Sequence, residues 1–520
     1  MNKNIITLLL CTVFNTSLAS DEIEQIVVVG ATVNQEVTNI SEDFTFVERI
    51  MPAMAYTPGG YGGFAGYNER GAQTVHTTIF RNGVPVNDAG SGWYDFAHDI
   101  ATGLEQVKIV NGPNSVLYGS GSLGGTVFIT DDIDTSVKSR IGENHTLVNA
   151  NLFDSLSLTR FSVNNGSVRT DNTEDDEYKN TSAKFVKDIA GFSVVANYTD
   201  YDYDYDDCWT ADWSQSNDCV QSGTRQGISI RNENFTLGYN RNQSEYYTED
   251  VLTWDSDAER YYLDARETFE VGEPAALLTV GVTADKQTYA DQDQNNTSGY
   301  AVINFENRFD LGVRVSEDAI VYRTGFTADG FFVNAGTSYR NPTLYELNGD
   351  AFVNSNLSLD PEEAFGWEIG YAGFTYFDYS FDQGIDYDFS NNQFVNTGEY
   401  ETSGIRYMDS YSVPYGAFNV MLGYTDSDQP RVPEYKTQLS YLASVNGYKF
   451  KTVFTAQYDR GVDFTGNSID DLQTVDFIVS KQFGSLDVSF TVQDVFDREF
   501  EIIPGYGAGG RNFFLTLSYK

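Results

Sequence analysis

Residues Leu104–Thr130 read LEQVKIVNGPNSVLYGSGSLGGTVFIT. A short alternating strand runs into a Gly-Pro-Asn turn. A Tyr118-Gly119 step and the Gly124-Gly125 pair then lead into a second apolar strand. Upstream, Phe80-Arg81-Asn82-Gly83-Val84 places an Asn-Gly pair, a strong hairpin signal, behind the strand-like Thr74–Phe80. Glycines also cluster in Pro58–Gly66 (PGGYGGFAG) and Ala89–Gly92 (AGSG). Glycine admits positive φ and close backbone approach, and strand-like residues follow, so both clusters read as presented loops. Residues 32–134 thus form a small mixed α/β domain.

The flanks differ in character. MNKNIITLLLCTVFNTSLAS (1–20) has a lysine near its start, an apolar run from Ile5 to Phe14 and small residues at Ala19 and Ser20. That is the pattern of a secretory signal peptide, against the alternative of a short buried helix. From 135 to 520 the chain alternates with period two between polar, Gly/Asn/Asp-rich breaks. Leu486, Val488, Phe490 and Val492 share one face against Asp487, Ser489 and Thr491, and Phe513, Leu515, Leu517 and Tyr519 share another. No window holds 18 consecutive apolar residues, which excludes a transmembrane helix but not a barrel. The mean hydropathy of -0.36 and the 15% aromatic content suit barrel strands and interfacial aromatic girdles.

These segments, in this order, resemble the TonB-dependent outer-membrane receptors. Leu104–Thr130 and Phe80–Val84, with Arg70-Gly71 before them, resemble the plug domain, although Asn82-Gly83 stands where the family often has Asp-Gly. Asp21–Ala31, DEIEQIVVVGA, resembles the TonB box. Glu24, Gln25, Ile26, Val27, Val28 and Val29 would there pair by strand addition with a TonB-type energy-coupling protein. Ser338–Leu347 (SYRNPTLYEL) followed by Asn354–Leu357 and Leu359–Glu362 looks like a paired barrel motif, and Asp494–Phe500 with Gly505–Arg511 like the closing segment. By compact size and motif spacing, the cobalamin-receptor type is the nearest within the family.

The resemblance implies a signal peptide (1–20), a TonB-box segment (21–31), a plug (32–134) and an all-β transmembrane barrel of about 22 antiparallel strands (135–520) with the plug in its lumen. About 386 residues shared among 22 strands leave roughly 17 to 18 each, and spanning needs about 9–11. The implied function is active uptake of a scarce large ligand across the outer membrane, a corrinoid first and a ferric siderophore second. Haem is disfavoured, because such receptors typically carry a histidine between the paired motifs and Arg340–Leu357 has none. A passive pore or adhesin, and a soluble β protein, are the competing classes. Implied partners are TonB, outer-membrane lipid, a small-molecule ligand and the barrel-assembly machinery, which reads a terminal aromatic; here Lys520 follows Tyr519.

Composition narrows the chemistry. The formal net charge of -43 argues against nucleic acid as a partner, because that needs clustered cations. It suits acidic extracellular loops or a general adaptation to salt. No nucleophile elbow, His-Glu-x-x-His or phosphate loop is present, so the expectation is no enzyme and no required cofactor. Cys208 and Cys219, close together in an exported chain, read as a local disulfide rather than a zinc site. Ligand contacts fall on the plug loops Tyr56–Tyr67 and Asn87–Tyr94. Tyr61, Phe64, Asn87, Trp93 and Tyr94 are the candidates there, with the alternative that Trp93 and Tyr94 brace the plug against the wall. In Tyr201–Asp207, YDYDYDD, strand alternation puts Asp202, Asp204 and Asp206 on one edge. These are candidate ligands for Ca2+, or a solvated acidic strand end.

Overall fold

The computed structural model describes residues 35–40, 54–56 and 62–520, apart from 69, 101–104, 165–175, 211, 213, 273–275, 463–465, 499–500 and 508–509. Residues 1–20 and the TonB-box candidates Glu24–Val29 lie outside the described residues.

A five-stranded mixed sheet organises the first part of the chain, in the order Gln35–Ile40, Glu105–Asn111, Gly125–Thr130, Thr77–Arg81, Val84–Pro85. Thr77–Arg81 and Gly125–Thr130 are parallel; the other pairings are antiparallel. Asn82 (φ 50) and Gly83 (φ 85) make the hairpin turn the sequence signals. The double glycine answers to packing: a Cβ at Gly124 would sit 2.0 Å from that of Ala72. Ile79, Val107, Ile109, Val127 and Ile129 form the core, with Tyr94 and Phe96 packed into it.

Behind this domain, 22 antiparallel strands close into a barrel. It runs from Ser136–Gly142 to Asn512–Tyr519, and these two strands pair to close it. One rim is built of tight turns such as Ala190-Gly191, Asp329-Gly330, Ala372-Gly373 and Asn446-Gly447, each with two positive φ values. The other carries the longer connections, 206–218, 341–361, 383–399, 459–471 and 494–511. Short turns face the periplasm and long loops the exterior in such barrels, which sets the orientation. The strand Val251–Val271, 21 residues long, exceeds the about 9–11 that span and so projects beyond the bilayer.

The barrel inverts the polarity of a soluble protein. In Phe309–Ser316, Leu311, Val313 and Val315 are 51%, 41% and 51% exposed, while Asp310 and Arg314 on the alternate face are each 1% exposed. Apolar side chains meet lipid, and the lumen takes the charges. Phe513, Leu515, Leu517 and Tyr519 likewise face outward, whereas Phe514 turns in under the Arg140 guanidinium at 3.8 Å. Lys520 adds one residue of overhang, its N–H donating to the Ser485 carbonyl at 3.0 Å.

Val313→Arg should therefore destabilise the barrel by about 2–4 kcal/mol, the cost of a cation near the bilayer midplane. Urea unfolding in liposomes measures this, and an unchanged midpoint would contradict the lipid-facing assignment.

Candidate functional site

The outer surface of the plug, under the long loops, is built on its glycine clusters. Phe64 and Trp93 meet there as a tilted pair with ring centroids 5.2 Å apart, and Trp93 is 48% exposed. The Asn87–Tyr94 loop folds on Asp88, whose carboxylate accepts from Gly90 N–H (3.0 Å) and Ser91 N–H (2.8 Å). Asn87 is internal: its side chain takes the Ile79 N–H at 2.7 Å and donates to the Thr77 carbonyl at 2.9 Å. Tyr94 is also internal, packed edge-on to Phe96 and hydrogen-bonded to Asp99. The structure thus brings Phe64 and Trp93 together at the surface and turns Asn87 and Tyr94 into the scaffold. Tyr61 lies outside the described residues.

Barrel aromatics line the same end. Tyr203, Tyr205, Tyr246 and Trp254 follow one another at centroid distances of 5.7, 6.5 and 4.9 Å. Tyr289, Tyr345, Phe394 and Tyr387 form a second run at 6.3, 5.8 and 5.4 Å. Tyr345 sits on the short helix Leu344–Asn348, which a Thr343/Glu346 capping box holds in place. Its N–H donates to the Gly90 carbonyl at 3.0 Å, joining an outer loop to the plug. Rings on a polar scaffold offer broad apolar contact with hydroxyl handles.

Alternation in Phe192–Tyr205 holds as the sequence predicts: Tyr201 and Tyr203 are buried and Asp202 is exposed. Asp202 accepts from Ser222 at 2.8 Å, and Asp204 from the Glu177 N–H at 3.2 Å. Asp206 is buried beyond the strand end. Among the described residues, no three of His, Cys, Asp and Glu are gathered as a metal-ligand set. Cys208 and Cys219 are disulfide-bonded. Beside them, Tyr506 donates to Asp207 at 2.7 Å, tying this loop to the closing segment.

What sequence reading misses is how the plug is held. Arg70 pairs with Glu368 and donates to the Tyr379 hydroxyl at 2.6 Å. His76 lies 3.0 Å from Glu362, which pairs with Arg340, and Arg340 forks onto Glu346 at 2.9 and 3.0 Å. Asp131 accepts from Arg81 at 2.7 and 2.6 Å, from Asn82 at 2.7 Å and from Lys184 at 3.1 Å. Burial opposes its ionisation, but the cations Arg81 and Lys184 outweigh this and hold the carboxyl well below the usual range. Arg225 donates to the Asp95 carbonyl at 2.6 Å and lies 3.6 Å from its carboxylate, which burial nevertheless pushes up to about 6. Burial and the Arg225 charge depress the His98 imidazole, which stacks on Tyr201 at 3.5 Å. Arg314 donates to the Val116 and Leu117 carbonyls, both at 2.9 Å. A four-residue helix leaves such groups unpaired at its C-terminus.

Arg70→Ala would strand Glu368 as an uncompensated buried charge, a loss of about 3–5 kcal/mol. The expected outcome is faster hydrogen exchange in Thr77–Arg81 with an intact barrel; unchanged exchange would show that this pair does not hold the plug.

A family model described as the TonB-dependent Receptor Plug Domain matches residues 19–126. The vitamin B12 transporter BtuB of Photobacterium profundum is 23% identical over 558 aligned positions, covering 91% of this chain and 89% of the relative. Among solved structures, the ferric enterobactin receptor PfeA of Pseudomonas aeruginosa superposes with a TM-score of 0.70 at 14% identity, covering 93% of this chain and 99% of that one. The siderophore receptor PirA from Acinetobacter baumannii gives 0.68 at 14% identity, covering 93% and 98%. At that identity the two structures speak for the fold alone. Plug model, closed barrel and full-length relative agree: residues 19–126 match the plug domain, and the chain as a whole is similar to the TonB-dependent receptors of the bacterial outer membrane.

Proposed function

We propose that this receptor imports a corrinoid of the cobalamin type. The observation that carries the reading is the likeness to a vitamin B12 transporter, which runs through plug and barrel alike. A vestibule floored by Phe64 and Trp93 and walled by two runs of aromatic side chains supports a large ligand with extended apolar faces.

Charge separates this reading from its rival. A ferric catecholate siderophore is a multiply charged anion, whereas a corrinoid such as cyanocobalamin is neutral overall. The formal net charge of -43 opposes the approach of an anion and is indifferent to a neutral ligand. Exposed acids at the outer rim, among them Asp212, Asp218, Glu249, Asp250, Asp291 and Asp386, put part of that field in the ligand's path.

In the transport step, ligand on Phe64 and Trp93 perturbs the loops that those residues share with the plug core. Glu24–Val29 then pairs by strand addition with the coupling protein, and tension is applied to the plug. Its clamps are ionic and hydrogen-bonded, so water can replace each contact as it parts. No covalent chemistry is needed.

Three outcomes test this. Purified receptor should bind cyanocobalamin and not ferric enterobactin in a calorimetric titration; the reverse preference would overturn the corrinoid reading. Trp93→Ala should weaken binding by about tenfold, as loss of an aromatic anchor does, and unchanged affinity would remove Trp93 from the site. Deleting residues 24–29 should abolish cyanocobalamin uptake by cells and preserve binding at their surface. Retained uptake would favour a passive pore.

A further inference from the structure

Between the plug turn at Asn111–Asn114 and the barrel wall is a small, half-open cavity of about 20 Å³, room for about one water, bordered by Asn111, Asn114, Arg323, Asn334 and Glu368. On the wall, Asp310, Gly325, Asn334 and Glu368 are register partners on four successive strands and so form one row across the lumen. Each lies within a few residues of the tight-turn rim, which places the cavity on the periplasmic side. Gly325 keeps the row open: a Cβ there would stand 2.5 Å from Asp310 Oδ1 and 2.8 Å from Asn334 Oδ1.

Half of the polar surface of the cavity and of the adjoining wall row is committed. Asp310 Oδ2 accepts from Arg323 at 3.1 Å, and Glu368 Oε1 accepts from Arg70 and Tyr379. The other half is not. Asp310 Oδ1, Glu368 Oε2 and both amide atoms of Asn111 and Asn334 have no hydrogen-bond partner among the described residues. Asn111, Asp310 and Glu368 are 4%, 1% and 3% exposed, so bulk water does not serve them. Buried groups of this kind are met by something, and a polar cavity with several convergent partners holds ordered water. Two guanidinium groups already balance the two carboxylates, so the site does not call for a cation. A mixed set of free donors and acceptors suits neutral groups that both donate and accept.

We propose that this cavity is an internal station on the exit side of the plug, filled by water at rest. Amide and hydroxyl groups of a hydrophilic ligand replace that water as the ligand leaves the vestibule for the periplasm. The second half of the proposal rests on the uptake reading above, since a corrinoid presents peripheral amides. Displacing ordered water by groups that reproduce its hydrogen bonds keeps such a passage nearly level in energy.

Two measurements test the proposal separately. A cysteine at position 334 (Asn334→Cys, with the native disulfide intact) should react with a small cationic methanethiosulfonate in the purified, folded receptor. A Val127→Cys control in the dry plug core should stay protected. Equal protection at both positions would overturn the water-filled cavity whatever the ligand is. In cells, Asn334→Leu and Asn111→Leu should leave cyanocobalamin binding at the surface unchanged and slow its energised uptake by about fivefold or more, the loss expected for one hydrogen-bonding partner. Unchanged uptake by folded variants would overturn the station. Failure of the parent receptor to bind cyanocobalamin would instead count against the corrinoid reading and leave the labelling result to decide the cavity.

Discussion

The structure depends on one constraint: a barrel that spends its apolar side chains on lipid has a polar lumen, and whatever fills that lumen must match it charge for charge. The plug does so around much of its circumference. Arg81 and Lys184 converge on Asp131, Arg70 meets Glu368, Arg225 meets Asp95, and His76 reaches the Glu362–Arg340–Glu346 group. Such pairs give little net stabilisation over apolar packing of the same volume, yet breaking one partner is costly. That combination suits a domain that has to be held in one place and later moved. An apolar seam of the same area would expose hydrocarbon on opening; a polar seam exchanges protein partners for water.

The same contacts tie the outside of the molecule to its middle. Arg340 forks onto Glu346, which caps the helix carrying Tyr345, and it also pairs with Glu362, the partner of plug residue His76. One backbone hydrogen bond, Tyr345 N–H to the Gly90 carbonyl, joins that helix to the loop that presents Trp93. A ligand seated against Tyr345 or Trp93 therefore touches elements that share partners with the plug core. Physical continuity of this kind is a means by which occupancy outside can bias the plug, provided the shared elements have two arrangements.

Much of the fold was legible because its signals are local. Period-two alternation identified the strand faces, and the last strand turns Phe513, Leu515, Leu517 and Tyr519 outward together. Asn82-Gly83 carried its turn, and the separation of eleven positions between Cys208 and Cys219 carried their disulfide. The candidate site was legible only in part. Trp93 and Tyr94 read as one aromatic patch, yet neighbours in extended chain face opposite sides; Trp93 is 48% exposed and Tyr94 6%. Asn87 read as a ligand contact on a plug loop, but its side chain accepts from Ile79 N–H and donates to the Thr77 carbonyl. The clamps left no local trace at all. Arg70 and Glu368 stand 298 residues apart, and only the closed barrel brings them together.

The charge excess gains a location once the clamps are counted as consumers of cations. Lysine and arginine total 32 against 75 aspartates and glutamates, and Arg70, Arg81, Lys184, Arg225, Arg260, Arg314, Arg323 and Arg340 are all drawn into the plug–barrel seam or its lining. Paired there, they cancel acids of the lumen and do nothing for the surface. The acids that remain at the outer rim face water with few counter-charges, so the mouth of the receptor is more negative than its interior. Fields of this sort extend about a Debye length, ~8–10 Å at physiological salt, which covers the entrance to the vestibule. The interior is balanced so that the plug can be seated, and the imbalance is left outside, at the mouth of the barrel.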